Sequence, residues 1–117
     1  MSQGFKSLVV WQKSMALVKE VYQVTANLPK NEEYALASQM RRAAVSIPSN
    51  IAEGSRRGTK KDFAHFLRMA SGSVAELETQ LVLSSELYPR ISVHEAEDMI
   101  AEVNRILAGL LKATSHD

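Results

Sequence analysis

Residues 39–68 read Q-M-R-R-A-A-V-S-I-P-S-N-I-A-E-G-S-R-R-G-T-K-K-D-F-A-H-F-L-R, and this stretch decides the fold. Gly54 is predicted to end one helix, because glycine adopts the left-handed conformation of a helix C-terminus without a Cβ penalty. Thr59, followed three residues later by Asp62, is typical of a capping box that starts the next helix. Residues 55–58 are therefore predicted to form the turn of a helical hairpin.

Basic residues concentrate in the same stretch. Residues 41–68 contain seven of the fourteen Lys and Arg residues against two acidic ones, a net charge of +5. Residues 69–117 contain three basic and eight acidic residues, a net charge of −5, so the overall charge of +1 conceals a strong polarity. A basic segment on a rigid turn favours polyanions such as RNA or DNA. The candidate nucleic-acid-binding residues are Arg41, Arg42, Arg56, Arg57, Lys60, Lys61 and Arg68.

Apolar residues at alternating three- and four-residue steps predict four helices, at about 8–28, 32–54, 60–88 and 93–114. No segment shows the two-residue alternation of a strand, so the fold class is all-α. Connections this short favour an antiparallel up-down four-helix bundle. The whole chain, 1–117, is predicted to form a single domain.

The second helix carries two local signals. Asn31 is predicted to cap it, with Glu32 and Glu33 in the first turn, where carboxylates suit the helix dipole. Pro48 lies inside the pattern, lacks an N–H and crowds the carbonyl four residues earlier, which predicts a kink. The alternative is a helix that breaks at Ile47 and restarts at Pro48.

Three further residues need a structural explanation. Asn50 shares an apolar face with Ala43 and Ile47, which predicts a buried amide with a structural hydrogen bond. Glu53 is expected either to pair with a nearby arginine or to stay solvated. Gly72 lies in the middle of the third helix, where glycine costs up to about 1 kcal/mol, and close packing against a neighbour is expected to offset that cost.

The sequence indicates a non-enzymatic protein without a metal or cofactor. It contains no cysteine, which fits a reducing cytoplasm, and neither a P-loop nor a Gly-x-Gly-x-x-Gly motif. Asp62 and His65 lie one helical turn apart but lack the further ligands of a di-metal bundle. No apolar run approaches the ~18 residues that span a bilayer, so no membrane association is expected. The predicted location is cytoplasmic.

The first and fourth helices have apolar faces wider than one packing seam requires. In the first, Val10, Leu17 and Val21 widen the face, and in the fourth Ile100 and Ile106 do the same. Broad exposed apolar stripes mark interfaces, so self-association is predicted. The alternative is a monomer whose core is large enough to bury both apolar faces.

A longer pattern covers most of the chain. It reads Leu36-x-x-Gln39-x-x-Arg42-Ala43-Ala44-x-Ser46-Ile47-x-x-Asn50-Ile51-Ala52-Glu53-Gly54, then Arg57, Phe63, Phe66-Leu67, Ala70, Ser73 and Glu76-Leu77-Glu78-Thr79-Gln80-Leu81. Leu8-x-x-Trp11-Gln12 and Leu28-Pro29 fit as well. Over roughly residues 8–114 the chain resembles the bacterial four-helix bundle family whose founding members are encoded in intervening sequences of 23S rRNA genes.

The resemblance implies a left-handed up-down bundle that forms ring-like homopentamers. It also implies kinship with the accessory protein of diversity-generating retroelements, a basic bundle that binds nucleic acid and a reverse transcriptase. The acidic C-terminal half departs from those more basic relatives and argues against a reverse-transcriptase partner. The expected function is a homo-oligomer that binds RNA or DNA backbone; the alternative is a protein-interaction or structural ring that docks an acidic protein.

Overall fold

The computed structural model describes residues 4–114 and contains four α-helices. They are α1 (Val9–Ala26), α2 (Leu36–Arg56), α3 (Lys60–Leu87) and α4 (His94–Thr114). Two short 3₁₀-helices, Gly4–Ser7 and Lys30–Glu32, precede α1 and α2. No strand occurs within the described residues, so the all-α prediction is confirmed. The bounds of α1, α3 and α4 lie within two residues of those predicted.

One face of each helix supplies the core. The largest fully buried side chains come from all four helices and include Leu17, Met40, Ile47, Ile51, Leu67, Leu77, Leu81, Ile100 and Leu107. α1 packs against α2 and α4, and α3 packs against the same two helices. The four helices therefore form a bundle around one apolar core, which burial of these side chains stabilises.

α2 and α3 run in opposite directions. Three contacts between them, taken in order along α2, are Met40 Sδ with Ser84 Oγ at 3.3 Å, Ser46 Oγ with Ser73 Oγ at 2.6 Å, and Gly54 with Phe66. The residue numbers rise on α2 as they fall on α3, which defines an antiparallel pair. The connection between the two helices consequently lies at the end where Gly54 meets Phe66.

α2 continues without interruption through Pro48, whose side chain is buried. The alternative of a break at Ile47 is therefore wrong. Proline supplies no N–H to the carbonyl of Ala44 four residues earlier, which weakens the helix locally. The kink at this position stays a prediction.

The start of α2 differs from the prediction. α2 begins at Leu36 because Lys30–Glu32 form a separate 3₁₀-helix, so Asn31 does not cap α2. Instead the Glu32 carboxylate accepts a hydrogen bond from the Leu36 N–H at 3.3 Å and another from the Tyr88 hydroxyl. The hydrogen bond to Glu32, together with burial and the Glu32 charge, raises the pKa of Tyr88. One carboxylate thus joins the start of α2 to the end of α3.

The roles predicted for Gly54 and Gly72 are both wrong. Gly54 is buried inside α2, and a Cβ there would lie 2.7 Å from Phe66 Cβ and 3.4 Å from Phe63 Cα. It permits the close approach of α3, whereas the turn residue with a left-handed φ of +90° is Gly58. Gly72 is exposed, and a Cβ there would meet open space, so close packing does not offset its cost.

Alanine substitutions at these two glycines should change stability in opposite directions. Gly54→Ala forces a methyl group against Phe66 and should lower the free energy of unfolding by about 1–3 kcal/mol. Gly72→Ala should raise it by about 0.5–1 kcal/mol, because alanine is the better helix former at an open site. Urea unfolding followed by circular dichroism measures both values. A stability loss at Gly72→Ala as large as that at Gly54→Ala would contradict the assignment.

Candidate nucleic-acid interface

The turn between α2 and α3 spans residues 57–59 and brings four cations to one end of the bundle. Gly58 reverses the chain, and Thr59 Oγ1 accepts a hydrogen bond from the Asp62 N–H at 3.1 Å, which confirms the predicted cap. The Gly54 contact holds the two helix ends together. The four cations are exposed and are called the basic turn from here on: Arg56, Arg57, Lys60 and Lys61.

Arg57 is held in place by two neighbours. Its Nε and Nη2 donate to the same oxygen of Glu53, at 3.0 and 2.9 Å, so Glu53 does pair with an arginine. Its guanidinium also lies over the Phe66 ring, 5.0 Å from the centroid. An exposed pair of this kind contributes only about 0.3–0.5 kcal/mol. Arg57 can therefore exchange Glu53 for a phosphate at small cost.

Arg56 links the basic turn to the N-terminal segment. Its guanidinium lies 5.3 Å from the Phe5 centroid, and Phe5 packs against Trp11 with centroids 5.3 Å apart. These contacts hold the 3₁₀-helix Gly4–Ser7 beside the end of α2, and that helix carries the exposed Lys6. Sequence reasoning missed this additional cation. The available signal was Phe5 itself, which extends the apolar line of α1 toward the N-terminus.

The structure does not bring Arg41 to the basic turn. Fifteen residues of helix separate it from Arg56, a distance of about 22 Å at 1.5 Å per residue. Arg41 donates to Thr25 Oγ1 at 2.9 Å and to Glu33 Oε2 at 3.2 Å, and it lies 5.2 Å from the Tyr22 centroid. These bonds join α2 to α1 and to the connection before α2.

Arg42 and Asn50 line a groove of about 610 Å³ between α2 and α3, called the polar groove. Asn50 was predicted to be buried but is half-buried on the groove wall, where its Nδ2 donates to the Ser46 carbonyl at 2.8 Å. Arg42 is exposed there, and fourteen residues of helix, about 21 Å, separate it from Arg56, so the structure does not bring it to the basic turn either. Arg68 is exposed on α3, about 12 Å along the helix from Lys60.

A second, apolar groove of about 320 Å³ lies between α1 and α2. Its walls include Trp11, Met15 and Val18 from α1 and Val45 from α2, and Val45 is 41% exposed. On α4, four large apolar side chains are likewise partly buried against the core: Met99, Ile106, Leu110 and Leu111. An interface on the apolar faces of α1 and α4 stays a prediction.

Asp62 and His65 do not assemble further ligands. Within residues 4–114 no three His, Asp or Glu side chains form a group able to hold a metal ion. His65 packs edge-on against Phe66 with centroids 5.1 Å apart.

No helix in the described part of the chain has the length and apolar character needed to cross a membrane.

Comparison with known proteins agrees with this architecture. The profile of the family described as "23S rRNA-intervening sequence protein" matches residues 6–112. The crystal structure of a protein with unknown function from the S23 ribosomal protein family of Bacteroides thetaiotaomicron is similar, with a TM-score of 0.75 and 25% sequence identity. That match covers 89% of this chain and 99% of the other. No curated protein matches the chain significantly.

The hydrogen bond from the Asp62 N–H to Thr59 should stabilise the start of α3 beside the basic turn. A pair of threonine substitutions tests this. Thr59→Ala removes the acceptor for the Asp62 N–H and should lower the free energy of unfolding by about 1 kcal/mol. Thr79→Ala is the control, because Thr79 is exposed in mid-helix and donates only to the Ala75 carbonyl of its own helix. Its effect should stay within about 0.5 kcal/mol. Equal urea midpoints for Thr59→Ala and the wild type would contradict the cap's role.

Proposed function

The chain belongs to the family of 23S rRNA-intervening sequence proteins, and from this premise we propose that it is a non-enzymatic, homo-oligomeric bundle that binds the phosphate backbone of RNA or DNA. The observation that carries the proposal is the basic turn. It presents four exposed cations within six residues, at one end of a rigid helical pair. Lys6 lies on the segment packed against the same end.

The position of the lysines supports a bound anion. Lys60 and Lys61 occupy the first turn of α3, where a helix dipole disfavours cations by roughly 0.3–1 kcal/mol each. A phosphate beside them would remove this conflict, because it pairs with the lysines and suits the positive end of the helix. The two arginines add planar donors that match phosphate oxygens bidentately.

The opposite end of the bundle supports a preferred orientation. Glu32 and Glu33 lie there, and Glu95 and Glu97 lie in the first turn of α4. A polyanion would be repelled by this end and attracted by the basic turn. The turn has no exposed aromatic platform, so the proposed contact is with the backbone, independent of sequence and sensitive to salt.

Self-association is the second part of the proposal. The apolar groove leaves Trp11, Met15 and Val18 partly exposed beside Val45, which suits coverage by another copy. The family resemblance favours five subunits. Several basic turns on one ring would act together, so weak contacts would sum to useful binding.

Charge reversal at the basic turn should weaken nucleic-acid binding. For the double variant Arg56→Glu/Lys61→Glu, we expect a loss of at least tenfold in affinity for RNA or DNA at low salt, and a shallower dependence of log K on log salt by about 1–2. Lys19→Glu/Arg90→Glu is the matched control, since it changes the charge equally at exposed sites outside the turn. A gel-shift titration at several salt concentrations measures the effect.

Two results of that titration would overturn the proposal. One is the absence of any shift by the wild type at low salt, and the other is an equal loss in the control variant. If the protein instead captures acidic proteins in pull-downs that survive nuclease treatment, the basic turn is a docking site for an acidic partner.

The assembly is tested by two valines of nearly equal exposure. Val45, 41% exposed, lies in the apolar groove, and Val82, 42% exposed, lies on α3 outside it. Val45→Lys should shift the protein toward monomers, because it places a charge in the proposed contact, whereas Val82→Lys should not. Sedimentation velocity measures the distribution of species. A monomeric wild type, or dissociation by both variants alike, would contradict this part of the proposal.

A further inference from the structure

The exposed face of α3 continues the basic turn along the bundle. Lys61, His65 and Arg68 follow one another at steps of four and three residues, and all three side chains are exposed. Residues at this spacing share one face of a helix, and successive members lie about 6 and 4.5 Å apart along its axis. These three residues are called the α3 strip, and its first member, Lys61, belongs to the basic turn.

His65 is the member of the strip to which neither the sequence nor the proposed function gives a role. Its ring packs edge-on against Phe66, with centroids 5.1 Å apart, and the Arg57 guanidinium lies over the same Phe66 ring. His65 and Arg57 therefore border one aromatic side chain. A strand that leaves the basic turn along α3 meets His65 before it reaches Arg68.

The charged residues near His65 on its own helix are mainly cations. Lys61 lies one turn before it and Arg68 one turn after it, and both are exposed. Asp62, in the first turn of α3, is the one carboxylate of this stretch, and its side chain is half-buried. The next carboxylate on α3 is Glu76, about 16 Å beyond His65 along the axis. This end of the helix face therefore suits an anion.

The two helices that pack against α3 do not change this balance. From the end of α2 come Glu53 and Arg57, which pair with each other at 2.9 Å. The C-terminal half of α4 contributes two cations, Arg105 and Lys112, and no carboxylate. A phosphate beside His65 would consequently meet little repulsion from either neighbour.

Phosphate bound along this strip would be coupled to a proton. Histidine is the side chain that changes charge between about pH 5 and 8. A phosphate within a few ångströms of an imidazole favours its charged form, because opposite charges attract. A complex that takes up a proton as it forms is stabilised when protons are abundant, so its affinity rises as the pH falls.

We infer that the nucleic-acid-binding surface continues from the basic turn along the α3 strip to Arg68, and that protonation of His65 makes this binding pH-dependent. The inference rests on the proposed function and goes beyond it, because lysine and arginine keep their charge between about pH 5 and 8 and the basic turn contains no other cation. The path also gives a role to Arg68 and none to Arg42, which lies on α2 in the polar groove.

The pH dependence of binding tests the role of His65. The probes are fluorescently labelled oligo(U) RNA of about twelve nucleotides and a short mixed-sequence DNA duplex. Uracil and paired bases do not change charge in this pH range, so a pH effect belongs to the protein. Fluorescence anisotropy of the full chain at low salt should give about three- to tenfold tighter binding at about pH 5.5 than at about pH 8. The plot of log K against log salt should also be steeper at the lower pH, by about 0.7–0.9, because one more phosphate is neutralised.

Histidine variants assign the effect to one residue. His65→Gln should bind at both pH values as weakly as the wild type does at the higher one, and His65→Lys should bind at both as tightly as the wild type does at the lower one. His94→Gln is the matched control, because His94 is exposed at the opposite end of the bundle, where it pairs with Asp98 at 3.4 Å. His116, which lies outside the described residues, gives a second control as His116→Gln. Both controls should keep the pH dependence of the wild type.

A pair of arginine variants tests the path. Arg68→Gln should lower the affinity about threefold or more and make the salt dependence shallower, because it removes a phosphate contact from the strip. Arg42→Gln removes the same charge from an exposed site on α2 and should leave the affinity within about 1.5-fold of the wild type. Circular dichroism melting checks that all the variants fold.

The outcomes separate the inference from the proposed function. Salt-dependent binding of equal strength at both pH values, or a pH effect that persists in His65→Gln, would overturn the inference and leave backbone binding at the basic turn intact. Equal losses in Arg68→Gln and Arg42→Gln would show that the strand does not follow α3. A complete absence of binding to either probe would overturn the inference and the proposed function together.

Discussion

The close contact between α2 and α3 at Gly54 is the constraint on which the rest of the structure depends. A Cβ at this position would lie 2.7 Å from Phe66 Cβ, so the helices approach at this distance because residue 54 has no side chain. The contact lies just before a connection of residues 57–59. A pair of helices joined so tightly has little freedom to separate. The cations on both sides of the connection are therefore confined to one end of the bundle.

Local signals in the sequence predicted the helices well, and signals that depend on a neighbouring helix did not. The Thr59 cap depends on atoms three residues away, and it was predicted correctly. The sequence alone does not show which of Gly54 and Gly72 packs closely against another helix, because the role of a helical glycine depends on what faces it. The predicted start of α2 was wrong for a similar reason, since the Glu32 carboxylate accepts hydrogen bonds from the distant Tyr88 and from Leu36.

The same distinction explains which parts of the candidate site could be predicted. The basic turn was evident because its four cations lie within six consecutive residues, which any tight connection would keep together. Arg41 is close to them in sequence terms, yet a helix carries it about 22 Å away to Thr25 and Glu33. Lys6 is distant in sequence and reaches this end through the packing of Phe5. Helical periodicity placed Asn50 on the inner face but could not separate the core from a groove between two helices.

α2 also divides the molecule into two surfaces with different chemistry. Its α1 side forms an apolar groove with Val45, and its α3 side forms the polar groove, while Arg42 also borders a third groove shared with Val45 and Tyr22. A second copy seated on the apolar side would therefore place its edge beside Arg42. Such a contact would bury apolar surface without covering Gln80 and Glu76 on the far wall.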